Sequence, residues 1–331
     1  MGTFGGHALP GSFFILYGLW SIWHILETYY RRKLYELNKC NEFVPEFTNR
    51  ISYPLNRQKS NDYRGCCKKS IPFDSLAKFI CCIGGITGEV ITGFNSDWVF
   101  VHIGNIQHSS MFSLFGLSGL IEVFVFYGIL KIPRESEYLF NMIALLGEFF
   151  LFMFHLHGRS PLDIYLHLLL AGMIVLAVGI SLAELMAPRE PVYGLMRCWT
   201  YLMQGTWFWQ VGAILYPKFS WMPTWNENAI ESLPAAANLF AYHMLANLFA
   251  IIVIVFIVMI RCKVGIISEE KMKTRLLTAA TATIRKEYQE RNSQQQTQSQ
   301  QKFIADNDSE EIEMWNYHRS DISSNKGQRD S

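Results

Sequence analysis

Apolar runs long enough to cross a lipid bilayer recur along most of this chain, and they restrict its fold more than any other feature does. A transmembrane α-helix needs about 20 consecutive, mostly apolar residues. Because the bilayer core offers no water to the backbone, each such run is predicted to be a helix. Half of the 331 residues are hydrophobic. The sequence therefore predicts an all-α, polytopic membrane bundle of seven transmembrane helices. The seven runs are Leu9–Tyr29, Ser75–Phe94, His108–Leu130, Tyr138–His157, Leu162–Met186, Tyr193–Tyr216 and Ala236–Ile260.

Lysine and arginine are distributed unevenly among the connections between these runs. Ten of them follow the first run, from Arg31 to Lys69, whereas the connection from Phe94 to Gln107 contains neither type. Short cytosolic connections carry an excess of basic residues. We therefore expect the N-terminus to lie outside the cell or in a lumen and the C-terminus to lie in the cytosol.

Polar segments divide the chain into two predicted domains. Residues 1–263 are expected to form the seven-helix membrane domain, including a basic cytosolic loop at residues 31–74. Residues 264–331 are expected to form a cytosolic tail that is partly helical. The tail is then predicted to be disordered, because the stretch "NSQQQTQSQQ" and the acidic run after it have low complexity and few apolar residues.

The stretch "FFLFMFHLHGRSPLDIYLHLLL", residues 149–170, places three histidines, an aspartate and an arginine in apolar surroundings. Ionisable groups inside a membrane cost a few kcal/mol each unless they are paired or hydrated, so they indicate a functional site. Helices of alternating direction bring histidines from five helices to the outer third of the bilayer. These histidines are His7, His108, His155, His157, His167 and His243.

Carboxylate and amide side chains are expected at the same depth. Glu148 precedes His155 by two helical turns, so both project from one face. Asp163 and His167 are four residues apart and also share a face, which lets the carboxylate orient the imidazole. The remaining candidates at this depth are Glu89 on the second helix and Gln210 on the sixth.

One interpretation of this group is a metal site. Neutral imidazoles and carboxylates suit zinc or another divalent metal. The candidate ligands are His108, His155, His167, His243, Glu89 and Glu148. His7, His157, Asp163 and Gln210 are the supporting or alternative ligands.

Two other interpretations need different chemistry. The same side chains could form a polar network without a cofactor, in which they satisfy one another and join helix ends. Alternatively, a zinc-activated water could hydrolyse a lipid amide or ester, although the sequence singles out no catalytic residue. A structural, interaction or membrane-organising role is favoured over catalysis.

Several short stretches resemble the transmembrane protein 45 family. They are "GHALPGSFF", "QHSSMF", "HLHGRSPLDIYLHLLL" and "QGTWFWQVG". The resemblance implies a seven-helix integral membrane protein of the plasma membrane or of secretory-pathway membranes such as the Golgi or endosomes. It implies no settled biochemical activity.

The expected partners follow from composition. Membrane-spanning helices contact the lipid bilayer, and a formal net charge of +1 gives no reason to expect a nucleic-acid or soluble partner. Gly84 and Gly88 form a small-xxx-small pair that allows close helix packing, more often within one chain than between chains. A homodimer therefore stays an alternative.

Overall fold

The computed structural model describes residues 3–37, 47–56, 70–133 and 135–326. Over these residues the chain forms helices and one small antiparallel sheet, in which Leu55 pairs with Ile71. The helices are α1 (Phe4–Leu37), α2 (Phe73–Gly93), α3 (Ile103–Phe126), α4 (Ser136–His155), α5 (Pro161–Met186), α6 (Pro191–Leu215) and α7 (Ser232–Lys326). The strands are β1 (Leu55–Asn56) and β2 (Ser70–Ile71).

Six of the helices in the described part of the chain are long and apolar enough to cross a membrane. The exception is α6, where Arg197, Thr200 and Gln204 interrupt the apolar sequence. These three side chains are completely buried, so α6 places its polar groups against other helices. The predicted all-α fold is confirmed, with six candidate spans instead of seven. The candidate spans are Phe4–Lys33, Phe73–Gly93, Gly104–Phe126, Ser136–Phe154, Pro161–Met186 and Ser232–Lys263.

The chain divides into two compact units, Met1–Val264 and Gly265–Ser331. In the first unit, helices α2 to α5 each pack against the next helix in the chain, and α1 packs along α6. This order makes a ring of six helices, which is almost open between α1 and α2 because these two helices make few contacts. The first part of α7 lies against α6, where Asn247 Nδ2 donates to Thr206 Oγ1 at 2.8 Å.

The second unit consists of the rest of α7. The helix continues to Lys326, through the glutamine-rich stretch that was expected to be disordered. Glutamine, glutamate and lysine are good helix formers, which explains why a polar stretch can still be helical. Its described side chains, such as Leu277 and Tyr288, are exposed.

A row of apolar side chains on α5 forms the centre of the core. Leu162, Leu166, Leu170 and Ile174 recur at four-residue spacing and are completely buried. Trp207 of α6 packs against them and donates its indole N–H to the carbonyl oxygen of Leu166 at 3.0 Å. This contact positions α6 against α5.

Glycine allows α1 and α6 to approach at backbone distance. A Cβ atom on Gly205 would lie 2.7 Å from the carbonyl oxygen of Gly11, and one on Gly11 would lie 2.7 Å from that of Gly205. By contrast, a Cβ on Gly84 or Gly88 meets nothing within 4 Å. The small-residue packing within the chain is therefore found between α1 and α6, not at the Gly84–Gly88 pair.

Residues 47–56 pack against the helix ends, although the sequence predicts a polar loop over residues 31–74. Phe47, Ile51 and Tyr53 are buried, and burial raises the pKa of the Tyr53 phenol. The Tyr17 hydroxyl donates to the carbonyl oxygen of Ile51 at 2.6 Å. Three widely spaced apolar residues were too weak a pattern to predict this packing.

A buried ion pair joins α5 and α6 close to this segment. Arg197 Nε donates to Glu184 Oε2 at 2.6 Å, and both side chains are completely buried. The same guanidinium donates to the carbonyl oxygen of Arg50 at 2.9 Å. Arg197 thus connects α5, α6 and the segment at residues 47–56.

We expect Gly205→Ala to lower the free energy of unfolding of the purified protein by about 1–3 kcal/mol, the usual cost of overpacking. Thermal unfolding in detergent measures this. Gly84→Ala is the matched control, because its added methyl group meets open space and alanine favours the helix by up to about 1 kcal/mol. Equal losses for the two variants would contradict the close α1–α6 packing.

We expect Glu184→Leu alone to cost about 3–5 kcal/mol, because it leaves a buried guanidinium without its counter-ion. The double variant Glu184→Leu with Arg197→Met should be more stable than either single variant, since no buried charge remains. A double-mutant cycle of unfolding temperatures tests this. Additive losses would show that the ion pair contributes no coupling.

Candidate functional site

A cavity of about 750 Å³ lies inside the ring of α1 to α6. Asp74 and Thr92 of α2 both line it, and at 1.5 Å per helical residue they are about 27 Å apart along the helix. The cavity therefore extends along most of the bundle. The walls between its ends are largely apolar and include Phe13, Phe14, Met111, Phe112 and Phe115.

One end of the cavity, which we call the histidine end, is where α1, α3 and α5 begin and where α2 and α4 finish. Five of the ten site residues predicted from the sequence line the cavity toward this end. Alternating helix directions bring them together, as expected from their places along the chain. They are His7, Glu89, His108, Glu148 and His167.

His108 pairs with Glu89 across the α2–α3 contact. Nδ1 of His108 lies 3.2 Å from Oε1 of Glu89. Beside this pair, Asn105 Nδ2 donates to the carbonyl oxygen of Glu89 and to Thr92 Oγ1, both at 2.9 Å. Three side-chain contacts thus join the start of α3 to the end of α2.

His167 is held by the first turn of its own helix. Its Nδ1 lies 2.9 Å from the carbonyl oxygen of Asp163 and 2.8 Å from the Asp163 carboxylate. The other carboxylate oxygen accepts from Arg159 at 2.7 Å. Ser160 caps the helix by accepting from the Asp163 backbone N–H. The predicted i, i+4 relation of Asp163 and His167 is therefore seen as a contact that orients the imidazole.

His7 brings α1 into contact with this group. Its ring lies edge-on to that of His167, with centroids 5.8 Å apart. Its Nδ1 lies 3.0 Å from the carbonyl oxygen of Thr3. Two imidazoles from helices far apart in sequence thus meet at the same wall of the cavity.

Glu148 differs from the other acidic residues that line the cavity. Its side chain is only 2% exposed, and its Oε2 has no hydrogen-bond partner among the residues that the structure describes. Leaving a buried polar atom unsatisfied costs about 1–3 kcal/mol, and more for a charged group. A proton, a cation or a hydrogen-bonding ligand at this carboxyl group would relieve that cost.

The other predicted site residues lie elsewhere. His243 and Gln210 face each other at the α6–α7 contact, with His243 Nε2 3.3 Å from Gln210 Oε1. His157 is exposed beyond the end of α4. The backbone of His155 ends α4, but its side chain lies outside the described residues.

The metal interpretation requires several of these predicted ligands to lie close together. Among the side chains that the structure describes, no group of three histidine, cysteine, aspartate or glutamate residues is arranged to hold a metal ion. His108 and His167 have their own carboxylate neighbours, and Gln210 holds His243 away from the cavity. The predicted ligand set, which includes His155, stays a prediction.

The opposite end of the cavity, which we call the ion-pair end, holds polar residues that the sequence analysis did not select. Lys78 of α2 pairs with Glu122 of α3 at 2.5 Å, and Ser75 donates to the second Glu122 oxygen at 2.8 Å. Asp74 accepts from the Ser52 hydroxyl, the Tyr53 backbone N–H and the Ser75 backbone N–H. The available signal was the four-residue spacing of Asp74 and Lys78, which puts them on one face of α2.

Comparison with known proteins gives a family match over part of the chain. A family described as a family of unknown function, DUF716, matches residues 134–265. This match covers α4, α5, α6 and the first part of α7. It therefore includes His167, His243 and Glu148 but not the helices that carry His7, Glu89 and His108.

Three relatives have the name transmembrane epididymal protein. The human protein 1 is 27% identical over 169 residues, which are 51% of this chain and 60% of that protein. The rat protein 1 is 24% identical over 254 residues, and the mouse protein 1A is 24% identical over 250 residues. Each of these two matches covers 75% of this chain and 78% of the relative.

These findings correct the resemblance to the transmembrane protein 45 family, which is wrong. The family that matches is DUF716, and the relatives are transmembrane epididymal proteins. The four stretches that suggested the resemblance are short and together make up 40 of the 331 residues, so they do not identify a family by themselves. The chain is thus an integral, multi-pass membrane protein that is similar to the transmembrane epididymal proteins.

Proposed function

We propose that this chain is a seven-span membrane protein whose histidine end forms a polar site at the extracellular or luminal side, with a structural or membrane-organising role. The seventh span is α6, because its 25 residues extend about 37 Å, enough to cross a bilayer. The orientation follows the basic residues, which are frequent after α1 and lacking between Phe94 and Gln107.

The observation that supports a polar network is the pairing of its histidines. His108, His167 and His243 each lie within 3.3 Å of a side-chain oxygen, those of Glu89, Asp163 and Gln210 respectively. Two of these contacts join different helices. Polar pairs in low-dielectric surroundings are strong and directional, so the network fixes how the helix ends meet.

A divalent metal such as zinc is the second candidate, favoured by one observation. His7, His108 and His167 line the same cavity as Glu148, whose Oε2 is buried without a partner among the described residues. The lipid-hydrolase alternative is not part of the proposal. It needs three protein ligands and an open coordination position, and the geometry of the described side chains selects no such set.

The domain division and the membrane in which the protein resides remain predictions. Residues 1–263 form the membrane domain, and residues 264–331 form the cytosolic tail. The membrane is the plasma membrane or one of the secretory pathway. The bilayer is the partner in every case, and a homodimer remains open to test.

We expect purified protein to contain no stoichiometric zinc, because the histidines already have oxygen partners. Elemental analysis of wild type, His155→Ala and His167→Ala measures this directly. The network also predicts that His167→Ala lowers the unfolding temperature, whereas His157→Ala, at an exposed position, does not. One zinc ion per chain that is lost in both variants would replace the network with the metal site.

The orientation predicts opposite accessibility for two tags. A tag beside the exposed Asp97 should react with a membrane-impermeant reagent on intact cells, whereas a C-terminal tag should react only after permeabilisation. The same pattern should hold when the tag near Asp97 is moved to the connection before α7. Accessibility of Asp97 and the C-terminus from one side would overturn the seven-span count.

A further inference from the structure

The cavity is long, apolar and connected to the surroundings of the bundle. Its volume, about 750 Å³, lies within the range of about 300–1,000 Å³ found for ligand pockets. Polar groups line both ends, and aromatic side chains such as Phe14, Phe112 and Phe115 line the length between them. An elongated apolar ligand matches this lining better than a compact polar one.

Access to the cavity lies between α1 and α2. These helices make few contacts, whereas glycine holds α1 close against α6. Leu16 of α1 and Phe73 of α2 both line the cavity, and they are 64% and 48% exposed. In a membrane, apolar side chains exposed on spanning helices face lipid, so a lipid molecule can enter sideways through this gap.

The polar groups at the two ends of the cavity differ in whether their side-chain atoms have partners. At the ion-pair end, Lys78 and Glu122 neutralise each other, and Asp74 accepts three hydrogen bonds. Toward the histidine end, Glu148 is buried, with one oxygen that no described residue satisfies. A ligand head group that hydrogen-bonds to Glu148 would satisfy this oxygen, whereas the acidic groups at the ion-pair end already have partners.

The chemistry of Glu148 restricts the head group. When it is ionised, the Glu148 carboxylate accepts hydrogen bonds only, so a head group that pairs with this form must donate. Among the described residues that line the cavity, Lys78 is the sole lysine or arginine, and it is paired with Glu122. A carboxylate or phosphate head group would therefore meet Glu89 and Glu148 without a strong cation to balance it.

We infer that the cavity binds a single-chain lipid whose head group donates hydrogen bonds, an amine or a hydroxyl, to Glu148, with the hydrocarbon chain extending toward the ion-pair end. The inference rests on the proposed polar site, since it assigns a ligand to the same end of the bundle. It gives the unpartnered oxygen of Glu148 a donor and gives the aromatic walls an apolar occupant. The bilayer supplies the ligand through the gap between α1 and α2.

The test uses a series of photoreactive C18 probes that share one chain, carrying a diazirine and an alkyne, and differ only in an amine, hydroxyl or carboxylate head group. The full chain is reconstituted in phosphatidylcholine nanodiscs and crosslinked. We expect the amine and hydroxyl probes to label residues of α1, α2 and α3 that line the cavity, and the carboxylate probe to label them at least tenfold less. Equal labelling by all three probes would overturn the assignment of the head group.

Glu148→Gln isolates the charge of the carboxyl group. Labelling by the amine probe should fall about tenfold, because a charge-assisted hydrogen bond becomes a neutral one, whereas labelling by the hydroxyl probe should change less than twofold. Glu231→Gln is the matched control at an exposed position outside the cavity. An amine signal that is unchanged in Glu148→Gln would contradict the role of Glu148.

A bulky side chain inside the cavity tests whether the probes bind there, and it leaves the polar residues unchanged. Ala77 lines the cavity, so Ala77→Phe should abolish labelling by every probe. Its neighbour Leu76 is exposed, so Leu76→Phe should label like wild type. Persistent labelling in Ala77→Phe would show that the probes bind the outer surface. Zinc content and tag accessibility, measured on the same preparations, report on the proposed polar site and topology separately from ligand binding.

Discussion

Polar groups that this chain buries between its helices can find hydrogen-bond partners only inside the bundle, from the protein or from the contents of its cavity, because the hydrocarbon around the helices offers none. Much of the architecture follows from this requirement. Arg197 is tolerated in a buried position because Glu184 accepts from its Nε and the carbonyl oxygen of Arg50 accepts from its Nη2. The same rule accounts for Lys78 beside Glu122 and for His108 beside Glu89. The pairs lie near the two ends of the bundle, where they fix the register of neighbouring helices.

The cavity lies inside a ring of six helices whose neighbouring contacts are unequal. Five successive contacts, from α2 through α6 to α1, are well packed, and the sixth, between α1 and α2, is not. The cavity of about 750 Å³ lies inside this ring, and exposed side chains of both α1 and α2, Leu16 and Phe73, line it. Residues 47–56 cover one end of this space by packing against Asp74 and Arg197. The ring of α1 to α6 thus brings the polar pairs together and also encloses the cavity.

The helical membrane fold could be read from the sequence because its signal, about 20 apolar residues in a row, is local. Glu148 and the His7, His108 and His167 imidazoles were also expected at one end, since helix direction alternates along the chain. The side chain that contacts each of these groups could not be predicted from the sequence. Gln210 faces His243 because α6 and α7 pack side by side, and no periodicity in either segment reports that contact.

Other features had no local signal at all. Segment 47–56 looks polar and aperiodic, and its burial depends on acceptors at Asp74, Pro188 and Glu190 that lie far along the chain. For α6, the sequence predicts a span at Tyr193–Tyr216, but the helix is not among the candidate spans. Only the tertiary packing shows that its Arg197, Thr200 and Gln204 side chains are buried against other helices. The glycine pair at Gly84 and Gly88 matched a packing pattern, yet the close approach occurs at Gly11 and Gly205, which are too far apart to form any motif.

The close approach of Gly11 and Gly205 also sets an order of assembly. Helix α1 is made almost 200 residues before its main partner α6, so it waits in the bilayer while the four helices between them are made. At the usual 5–20 residues per second, that delay is roughly 10–40 s. During this time the glycine face of α1 is uncovered, and the later arrival of α6 is the event that commits the bundle to its final form.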